Sequence, residues 1–405
     1  MKASPRHAAP ITLPVLAMIL AALAMIGPFT IDTYLPAFPF VAADLQATAA
    51  QMQQTLSLYL FSVALMTLFH GTLSDSFGRR PVILASLALY VISAIGCALA
   101  STLPQLLFWR AVQGLSAGAG IIIGRAIIRD SQQGHEAQRL MSLVTMIFGI
   151  APAIAPIIGG WLQSALGWRS IFWFLALYGI VIWAAAWRRL PETNPVAARQ
   201  PFHARPLLRN YRQLGSNPQL VLLCLAVGLN FSGFFLYIVS APAVIYGLLH
   251  LSATDFPWLF VPGIGGVMFG AFLSGRLAGR LTPRRTVFAG YLTMACAVAL
   301  NIAYCALFSP ALPWTVLPVM IYTIGMALAM PSLTLLTLDL YPQLRGMTSS
   351  LQGFAHSLLA GITAGVVSPL VSDNALTLAL TMGGLMLAGG CAWLWYLRLA
   401  EQRPE

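Results

Sequence analysis

The sequence predicts an all-α integral membrane protein with twelve transmembrane helices in two six-helix bundles. Three observations predict this fold. Of 405 residues, 59% are apolar and only 8% charged, the chain divides into twelve long apolar runs, and its arginines lie almost entirely between those runs. A helix needs about 20 apolar residues to cross a hydrocarbon core of about 30 Å, so twelve spans use nearly the whole chain.

The apolar runs form two sets of six. In chain order the predicted spans are 13–36, 49–72, 80–99, 103–127, 138–163 and 168–188, then 218–248, 253–275, 286–308, 312–337, 346–370 and 375–397. Charges and four prolines disfavour membrane insertion of the interval between the sets. We therefore expect a first bundle at residues 1–188, a cytoplasmic linker at 189–217 and a second bundle at 218–405. Two such halves with a site between them are typical of a transporter.

The basic residues predict the orientation of the chain. With the amino terminus in the cytoplasm, 20 of the 22 basic residues fall on the cytoplasmic side and only Arg169 lies outside. This predicts cytoplasmic termini and a multi-pass membrane protein. Because Lys2 is the only lysine and the arginines border the spans, the net charge of +11 indicates topology rather than binding of nucleic acid. The five cysteines lack the paired spacing of a metal site, so none is expected.

The loop after span two, GTLSDSFGRRP, combines residues that suit a conformational role. Gly71 allows close helix approach, Gly78 can take a positive φ, and Arg79 and Arg80 hold the loop at the cytoplasmic surface. Asp75 can pair with an arginine or with a helix N-terminus, which would make a latch present in only one arrangement of the halves. The alternative is a solvated turn that only sets topology.

Two charged residues lie within predicted spans. Arg110 lies about seven residues, or about 10 Å, inside span four, so it must face protein or water. Asp32 lies at comparable depth in span one. A carboxyl in a partly dehydrated cavity near an arginine can load and release protons, so we predict that Asp32 and Arg110 couple transport to protons, with or without direct pairing. The alternatives are an arginine bonded to backbone carbonyls and an aspartate wetted by the outer loop.

Aromatic and amide side chains in spans one, two, four and seven could line a cavity for apolar or planar compounds. These candidates are Tyr34, Tyr59, Gln113, Asn230, Phe231, Phe234 and Phe235. Packing against neighbouring helices or lipid is the alternative for each. His356 in span eleven could titrate or form a hydrogen bond between helices.

Span five contains two prolines and a glycine pair that predict a bent helix with a small-residue face. Pro152 and Pro156 remove backbone donors, which kinks the helix. Gly159 and Gly160 permit close packing against another span, for which Gly263–Gly270 is a candidate. All four residues are therefore predicted to act in conformational change.

The motifs resemble those of the major facilitator superfamily. The loop after span two is similar to the family pattern G-x-L-x-D-x-x-G-R-R and departs from it at Ser76, which is often basic in the family. In span four, Leu106 through Gly114 resembles the L-x-x-x-R-x-x-Q-G stretch. Span five resembles the antiporter motif of drug exporters, with Ala155 in place of the usual glycine. With the YLPAFP run of Tyr34–Pro39, these motifs look most like the Bcr/CflA group of drug:proton antiporters.

The resemblance implies export of small amphipathic antibiotics of the bicyclomycin or chloramphenicol class in exchange for protons. It also implies an outward-facing state stabilised by the loop, protons as the coupling ion, no cofactor, and a chain that works as a monomer in membrane lipid. Two alternatives stay open: a proton symporter or facilitator that imports a small nutrient, and a non-transporting membrane receptor or enzyme. No catalytic residue is expected, because the G-x-S-x-G match at Gly114–Gly118 lies within a predicted membrane helix.

Overall fold

The structure of the protein is a computed structural model that describes residues 12–132, 134–199 and 203–401. Lys2, Arg6 and Arg403, which the sequence places in the cytoplasm, lie outside these residues. The described chain is almost entirely helical and contains 12 segments long and apolar enough to cross a membrane. The predicted fold class and number of spans are therefore confirmed.

The first half builds six spans from eight described helices. They are α1 (Leu13–Asp32), α2 (Phe38–Asp44), α3 (Ala49–Phe77), α4 (Arg79–Ala98), α5 (Leu103–Ala117), α6 (Ala119–Ser131), α7 (Gly134–Leu166) and α8 (Arg169–Arg189). Helices α5 and α6 together form span four.

The second half follows a short linker helix. The described helices are α9 (Ala204–Gly215) in the linker, then α10 (Pro218–Val239), α11 (Pro257–Leu277), α12 (Pro283–Leu307), α13 (Leu317–Asp339), α14 (Arg345–Ile362), α15 (Ser368–Val371) and α16 (Ala375–Glu401). A π-helical turn, Thr363–Val367, joins α14 to α15 within one span.

Proline and glycine interrupt spans that the apolar pattern predicts as continuous. The first helix ends at Asp32, before a 3₁₀ turn that contains Pro36. Helix α10 ends at Val239, and a π-helical turn follows Pro242. Span four breaks at Gly118. Proline cannot donate a helical hydrogen bond and glycine disfavours the helix, so these breaks follow from residue type rather than from loss of apolar character.

The two halves share one apolar core at only one end of the molecule. We call the end that carries Arg79, Arg129 and Arg285 the arginine-rich end, and the other the opposite end. Near the opposite end, Phe38 of the first half and Val244 of the second belong to the same buried cluster. At the arginine-rich end the second half has separate apolar clusters of its own. The halves are thus packed together at the opposite end.

The linker helix α9 bridges the halves at the arginine-rich end. Leu214 is fully buried, while Tyr211 donates a hydrogen bond of 2.9 Å to the carbonyl of Leu68 in α3. Burial raises the pKa of Tyr211, which keeps the hydroxyl protonated as the donor. Asn210 contacts the sulfur of Met347 in α14. The helix therefore touches the facing spans of both halves.

Candidate functional site

Asp32 lies inside the protein at the end of α1, with 5% of its surface exposed. Thr30 and Thr33, on either side, donate hydrogen bonds to carbonyls of their own helix. Within the described chain no hydrogen bond or ion pair reaches the Asp32 carboxyl. This acid is therefore buried without a protein partner, and it does not lie in the wetted outer loop.

Arg110 of α5 has no exposed surface. Its Nη1 donates to Oε1 of Gln113 at 2.6 Å and, more weakly, to the carbonyl of Thr30 at 3.4 Å. The guanidinium carbon lies 5.0 Å from the ring centroid of Tyr34 and 4.5 Å from that of Tyr59. Aromatic faces attract a cation, so both rings stabilise the buried charge. We call Arg110 with Tyr34, Tyr59 and Gln113 the arginine box.

The arginine box lies beside Asp32 but does not pair with it. Arg110 contacts Thr30, two residues before Asp32, yet no guanidinium nitrogen comes within 4.0 Å of the carboxyl in the described structure. The Nε and Nη2 atoms of Arg110 have no hydrogen-bond partner among the described residues. The Arg110 guanidinium and the Asp32 carboxyl are thus buried neighbours, and each keeps bonding capacity for another group.

The close approach of α3 and α5 positions the arginine box. A Cβ on Gly114 would overlap the carbonyl of Tyr59, so α3 and α5 contact each other at their backbones. Arg110 lies one turn before Gly114, and this contact therefore sets Tyr59 over the guanidinium. Thr55, one turn before Tyr59, donates to the Tyr34 hydroxyl at 3.3 Å. The three predicted substrate contacts Tyr34, Tyr59 and Gln113 form the walls around Arg110.

The predicted substrate contacts of the second half differ in how accessible their side chains are. Asn230 is fully buried and donates to the hydroxyl of Tyr291 at 2.9 Å, so its amide faces the interior of the second half. Phe231 is partly exposed, and its ring centroid lies 4.1 Å from that of His356 and 5.4 Å from that of Phe235.

Phe234 and Phe235 are each 5% exposed. Among the four predicted contacts of α10, Phe231 therefore has the most accessible side chain, and its ring lies against that of His356 in α14 at an interplanar angle of 39°. For His356 no hydrogen bond to another helix is present in the described structure.

The loop after α3 forms a charge cluster within the first half. As the sequence predicts, Gly78 has a positive φ, of 100°. Arg79 is 8% exposed and pairs with Asp75 at 2.5 Å and with Asp130 of α6 at 3.0 Å. The predicted pairing of Asp75 with an arginine is present, and both partners belong to the same half. Close approach at Gly71 is not observed, since a Cβ there would make only ordinary contact.

Sequence reasoning missed Glu192, which connects this cluster to the linker. Its carboxylate accepts the backbone N–H of Arg79 at 3.0 Å and of Arg80 at 3.3 Å, at the N-terminus of α4. Asn194 donates to the carbonyl of Asp75 at 2.9 Å. Arg80 also donates to the carbonyl of Trp187. A carboxylate stabilises the N-terminus of a helix. The sequence signal for this role was the presence of an acid within an otherwise basic interval.

Span five carries its prolines within one long helix, α7. Pro152 and Pro156 interrupt its hydrogen bonding, and the glycine pair lies near the opposite end. Gly159 packs on the carbonyl of Thr33 in the first half, whereas Gly160 packs on the carbonyl of Ala253 in the second half.

The glycine pair packs against span eight as predicted, but through Gly160 and Ala253 rather than through the expected stretch Gly263–Gly270. Gly263 faces Phe234, while Gly266 and Gly270 pack against α13 in their own half. The apolar pattern of α11 does not show which of its faces points to the other half.

Three hydrogen bonds join the halves toward the opposite end, and we call them the seam bonds. Gln53 donates to the carbonyl of Val239 at 2.8 Å, Ser57 donates to that of Gly361 at 2.9 Å, and Tyr246 donates to that of Pro36 at 2.7 Å. Each joins a side chain to a backbone carbonyl. A pocket of about 660 Å³ lies between the halves at this end.

Comparisons with known proteins identify the family of this chain. Residues 17–365 match the model of the Major Facilitator Superfamily. The chain is 32% identical to the uncharacterized MFS-type transporter YdgK of Bacillus subtilis, over 92% of this chain and 91% of that protein. It is 27% identical to the bicyclomycin resistance protein homolog of Haemophilus influenzae, over 93% and 94%. It is 28% identical to multidrug resistance protein D of Escherichia coli, over 94% and 95%.

The fold also matches a solved structure. The crystal structure of a bacterial homolog to the human lysosomal transporter Spinster, inward-facing and unoccupied, aligns with a TM-score of 0.75 and 19% identity, over 97% of this chain and 98% of that one. The relatives confirm the resemblance to Bcr/CflA-type proteins that the motifs indicated. The chain belongs to the major facilitator superfamily and is a transporter rather than an enzyme.

Proposed function

We propose that the protein is a proton-coupled antiporter that exports small amphipathic antibiotics by alternating access. Relatives named for resistance to bicyclomycin and to multiple drugs, similar over more than nine tenths of the chain, support this class of cargo. The basic residues support a bacterial inner-membrane location with the arginine-rich end in the cytoplasm. Because one chain carries both halves, a monomer suffices for the cycle.

The observation that carries the proposal is the buried, unpartnered carboxyl of Asp32 beside Arg110. A carboxylate without a partner is far more costly to bury than a carboxylic acid. The closed environment of Asp32 therefore favours its protonated form, and hydration or a guanidinium contact favours its ionised form. Arg110 retains two free donors within the described protein, so it can supply that contact after a small movement.

Antiport follows if the drug and the proton compete for this site. In the state open to the outside, protonation of Asp32 weakens retention of the drug, which leaves. In the state open to the cytoplasm, release of the proton restores the anion and allows the next drug to bind. Each proton moving inward across 100 mV supplies about 2.3 kcal/mol.

The described conformation is closed at the opposite end by the seam bonds. If the arginine-rich end is cytoplasmic, this arrangement blocks release of the drug to the outside. The partly exposed Phe231 and its neighbour His356 offer a mostly apolar, aromatic surface that suits an uncharged, amphipathic drug.

Inside-out vesicles from a host stripped of its own drug pumps test the proposal with labelled chloramphenicol. With the membrane potential clamped at zero and the interior one pH unit more acid, exchange of one proton should support about tenfold accumulation, since tenfold corresponds to about 1.4 kcal/mol. Asp32→Asn should abolish this accumulation but keep the exchange of labelled for unlabelled drug.

Asp44→Asn is the matched control. Asp44 lies in the same span, is exposed and pairs with Arg169 at 2.7 Å on the surface. This variant should accumulate chloramphenicol like the unaltered protein. Full accumulation by Asp32→Asn would remove Asp32 from the mechanism. Accumulation by the unaltered protein only when the vesicle interior is alkaline would indicate a symporter instead.

A further inference from the structure

The linker helix α9 has an exposed face that is strongly basic. Arg205, Arg209 and Arg212 lie four and three residues apart, which places them on one side of the helix. All three are exposed, and Leu208, which lies among them, has 72% of its surface exposed. We call these four residues the arginine face. An apolar side chain flanked by cations is typical of a helix that lies at a membrane surface.

The charge of the arginine face is not neutralised within the protein. None of its arginines forms an ion pair in the described structure. The sequence of residues 199–219 contains no acid that could supply one. Arginine binds phosphate through a planar fork of donors, which a charge-assisted hydrogen bond strengthens. The arginine face can therefore bind several phosphate groups at once.

Contacts with two spans set the height of α9 relative to the membrane. Tyr211 bonds to Leu68, within the span predicted at 49–72, and α9 also contacts Met347, within the span predicted at 346–370. Both contacted residues lie within about four residues, or about 6 Å, of the ends of these spans. The helix therefore lies at the level where the hydrocarbon core gives way to lipid headgroups.

Helix α9 packs on the side of α3 that faces lipid. Leu58, Leu65 and Leu68 follow one stripe of α3, at intervals of seven and three residues. Leu58 is 36% exposed and lies next to Ser57, whose hydrogen bond joins the two halves at that level. Because the halves are closed there, the exposed stripe faces lipid rather than a central opening. Tyr211 bonds to the end of this same stripe.

The buried side of α9 fixes the direction of the arginine face. Leu207 and Leu214 are buried, and with Tyr211 they lie four and three residues apart on one side of the helix. The arginine face occupies the other side, so it points away from the bundle at the level of the headgroups. Phosphates of the leaflet can meet the guanidinium groups there, while Leu208 reaches the acyl chains.

We propose that the arginine face is a binding site for the headgroups of anionic phospholipids in the adjacent leaflet, with Leu208 inserted among their acyl chains. Each arginine near a negative membrane surface strengthens such binding by about fivefold. Because α9 contacts both halves, the bound lipids hold this bridge against the spans. The site depends on the position of the helix and not on the cargo or the direction of transport.

A nitroxide spin label on Leu208→Cys tests the proposal in the full-length protein, in nanodiscs and in a background without the five native cysteines. Collisions with oxygen report contact with acyl chains, and collisions with a water-soluble nickel chelate report contact with water. In nanodiscs that contain phosphatidylglycerol, the label should show high oxygen accessibility and low nickel accessibility. In phosphatidylcholine alone its nickel accessibility should rise, and added salt should weaken the effect of phosphatidylglycerol.

Two variants matched in charge, each with the same label, identify the groups that bind. The first combines Arg205→Gln, Arg209→Gln and Arg212→Gln. It should lose the response to phosphatidylglycerol, and Arg209→Gln alone should give an intermediate response. The control combines three exposed residues at the same end of the second half, Arg276→Gln, Arg280→Gln and Arg285→Gln. It loses the same charge and should respond like the unaltered protein. Elution and melting temperature verify that each variant is folded.

Equal accessibility of the label in the two lipids, or an unchanged response after loss of the three arginines of α9, would overturn the proposal. So would a matching response to inorganic phosphate added to phosphatidylcholine nanodiscs, since the site would then bind a dissolved anion rather than a lipid. No transport is measured in this experiment, so its failure leaves the proposed antiport untouched, and a failure of antiport leaves the lipid site untouched.

Discussion

At the scale of single residues, the site depends on how Arg110 is held. Two aromatic faces and an amide oxygen stabilise its charge, whereas a paired carboxylate would neutralise it. Each cation–π contact contributes about 0.5–2 kcal/mol, more when desolvated. The guanidinium can therefore remain charged and buried while Asp32 changes its protonation state.

Replacing Arg110 by lysine tests this arrangement. The planar guanidinium lies over both rings and also donates to Gln113, and a lysine ammonium cannot reproduce that geometry. We expect Arg110→Lys to lower chloramphenicol uptake by at least about tenfold, which corresponds to about 1.4 kcal/mol. The measurement is initial uptake in inside-out vesicles, corrected for the amount of protein.

Arg169→Lys is the control for this change, because Arg169 also stacks on an aromatic ring but lies partly exposed. It should transport normally. Uptake by Arg110→Lys equal to that of the control would show that the positive charge alone is sufficient.

The sequence predicted the burial of these charged residues but not their partners. The depths of Asp32 and Arg110 follow from their distance to the ends of apolar runs. The absence of a direct ion pair between them could not be predicted in this way. The rotation of each helix and the direction of each side chain depend on packing contacts, such as that of Gly114 on Tyr59. Glu192 stands out in the sequence as an acid in a basic interval, but its partners could not be predicted, because they are backbone N–H groups that any residue carries.

At the scale of helices, the turn between α3 and α4 combines backbone conformation with electrostatics. Gly78 has a positive φ, and Glu192 binds the two N–H groups that follow it. The sequence predicted this turn because glycine and the charged residues are local signals. It did not predict that α10 ends at Val239 or which face of α11 meets the other half, since apolar residues surround both helices.

Gly78→Ala should destabilise the protein for two reasons. At φ 100° and ψ 152° the Gly78 backbone lies in a region almost restricted to glycine, and holding a residue with a Cβ there costs about 1–3 kcal/mol. The Cβ would also meet Glu192 and Arg199, and relieving such a conflict costs about 1–3 kcal/mol more. The free energy of unfolding, or the melting temperature in detergent, measures the loss.

Gly279→Ala separates these two effects. Gly279 has a φ of 79° with open space around its Cβ position, so this variant should show only the backbone cost. A loss at Gly78 no larger than that at Gly279 would mean that the Glu192 carboxylate moves aside freely.

At the scale of the whole molecule, closure depends on contacts near the opposite end. The seam bonds and the contact of Gly160 with Ala253 are absent from any state in which the halves separate there. The sequence predicted two halves and their number of spans. Which end is closed could not be predicted, because both arrangements bury the same apolar faces.

Gly160→Ala should shift the population toward separation at the opposite end. The added Cβ overlaps the Ala253 carbonyl only when this end is closed, which penalises the closed state by about 1–3 kcal/mol. Spin labels on cysteines at Gln46 and Asp373, in a background without the five native cysteines, report the distance between the halves. A longer distance should become dominant.

Gly149→Ala is the control, since a Cβ at Gly149 in the same helix meets nothing within 4 Å. Its distance distribution should match that of the unaltered protein. An unchanged distribution in Gly160→Ala would show that the contact with Ala253 does not hold the end closed.

The seam bonds should hold the opposite end closed at any ionic strength. Each uses a neutral side chain and a backbone carbonyl, and of the ion pairs in the described chain none connects the two halves. Dissolved salt screens charges but not such contacts. Transfer of a cell from fresh water to brine should therefore leave this closure equally firm.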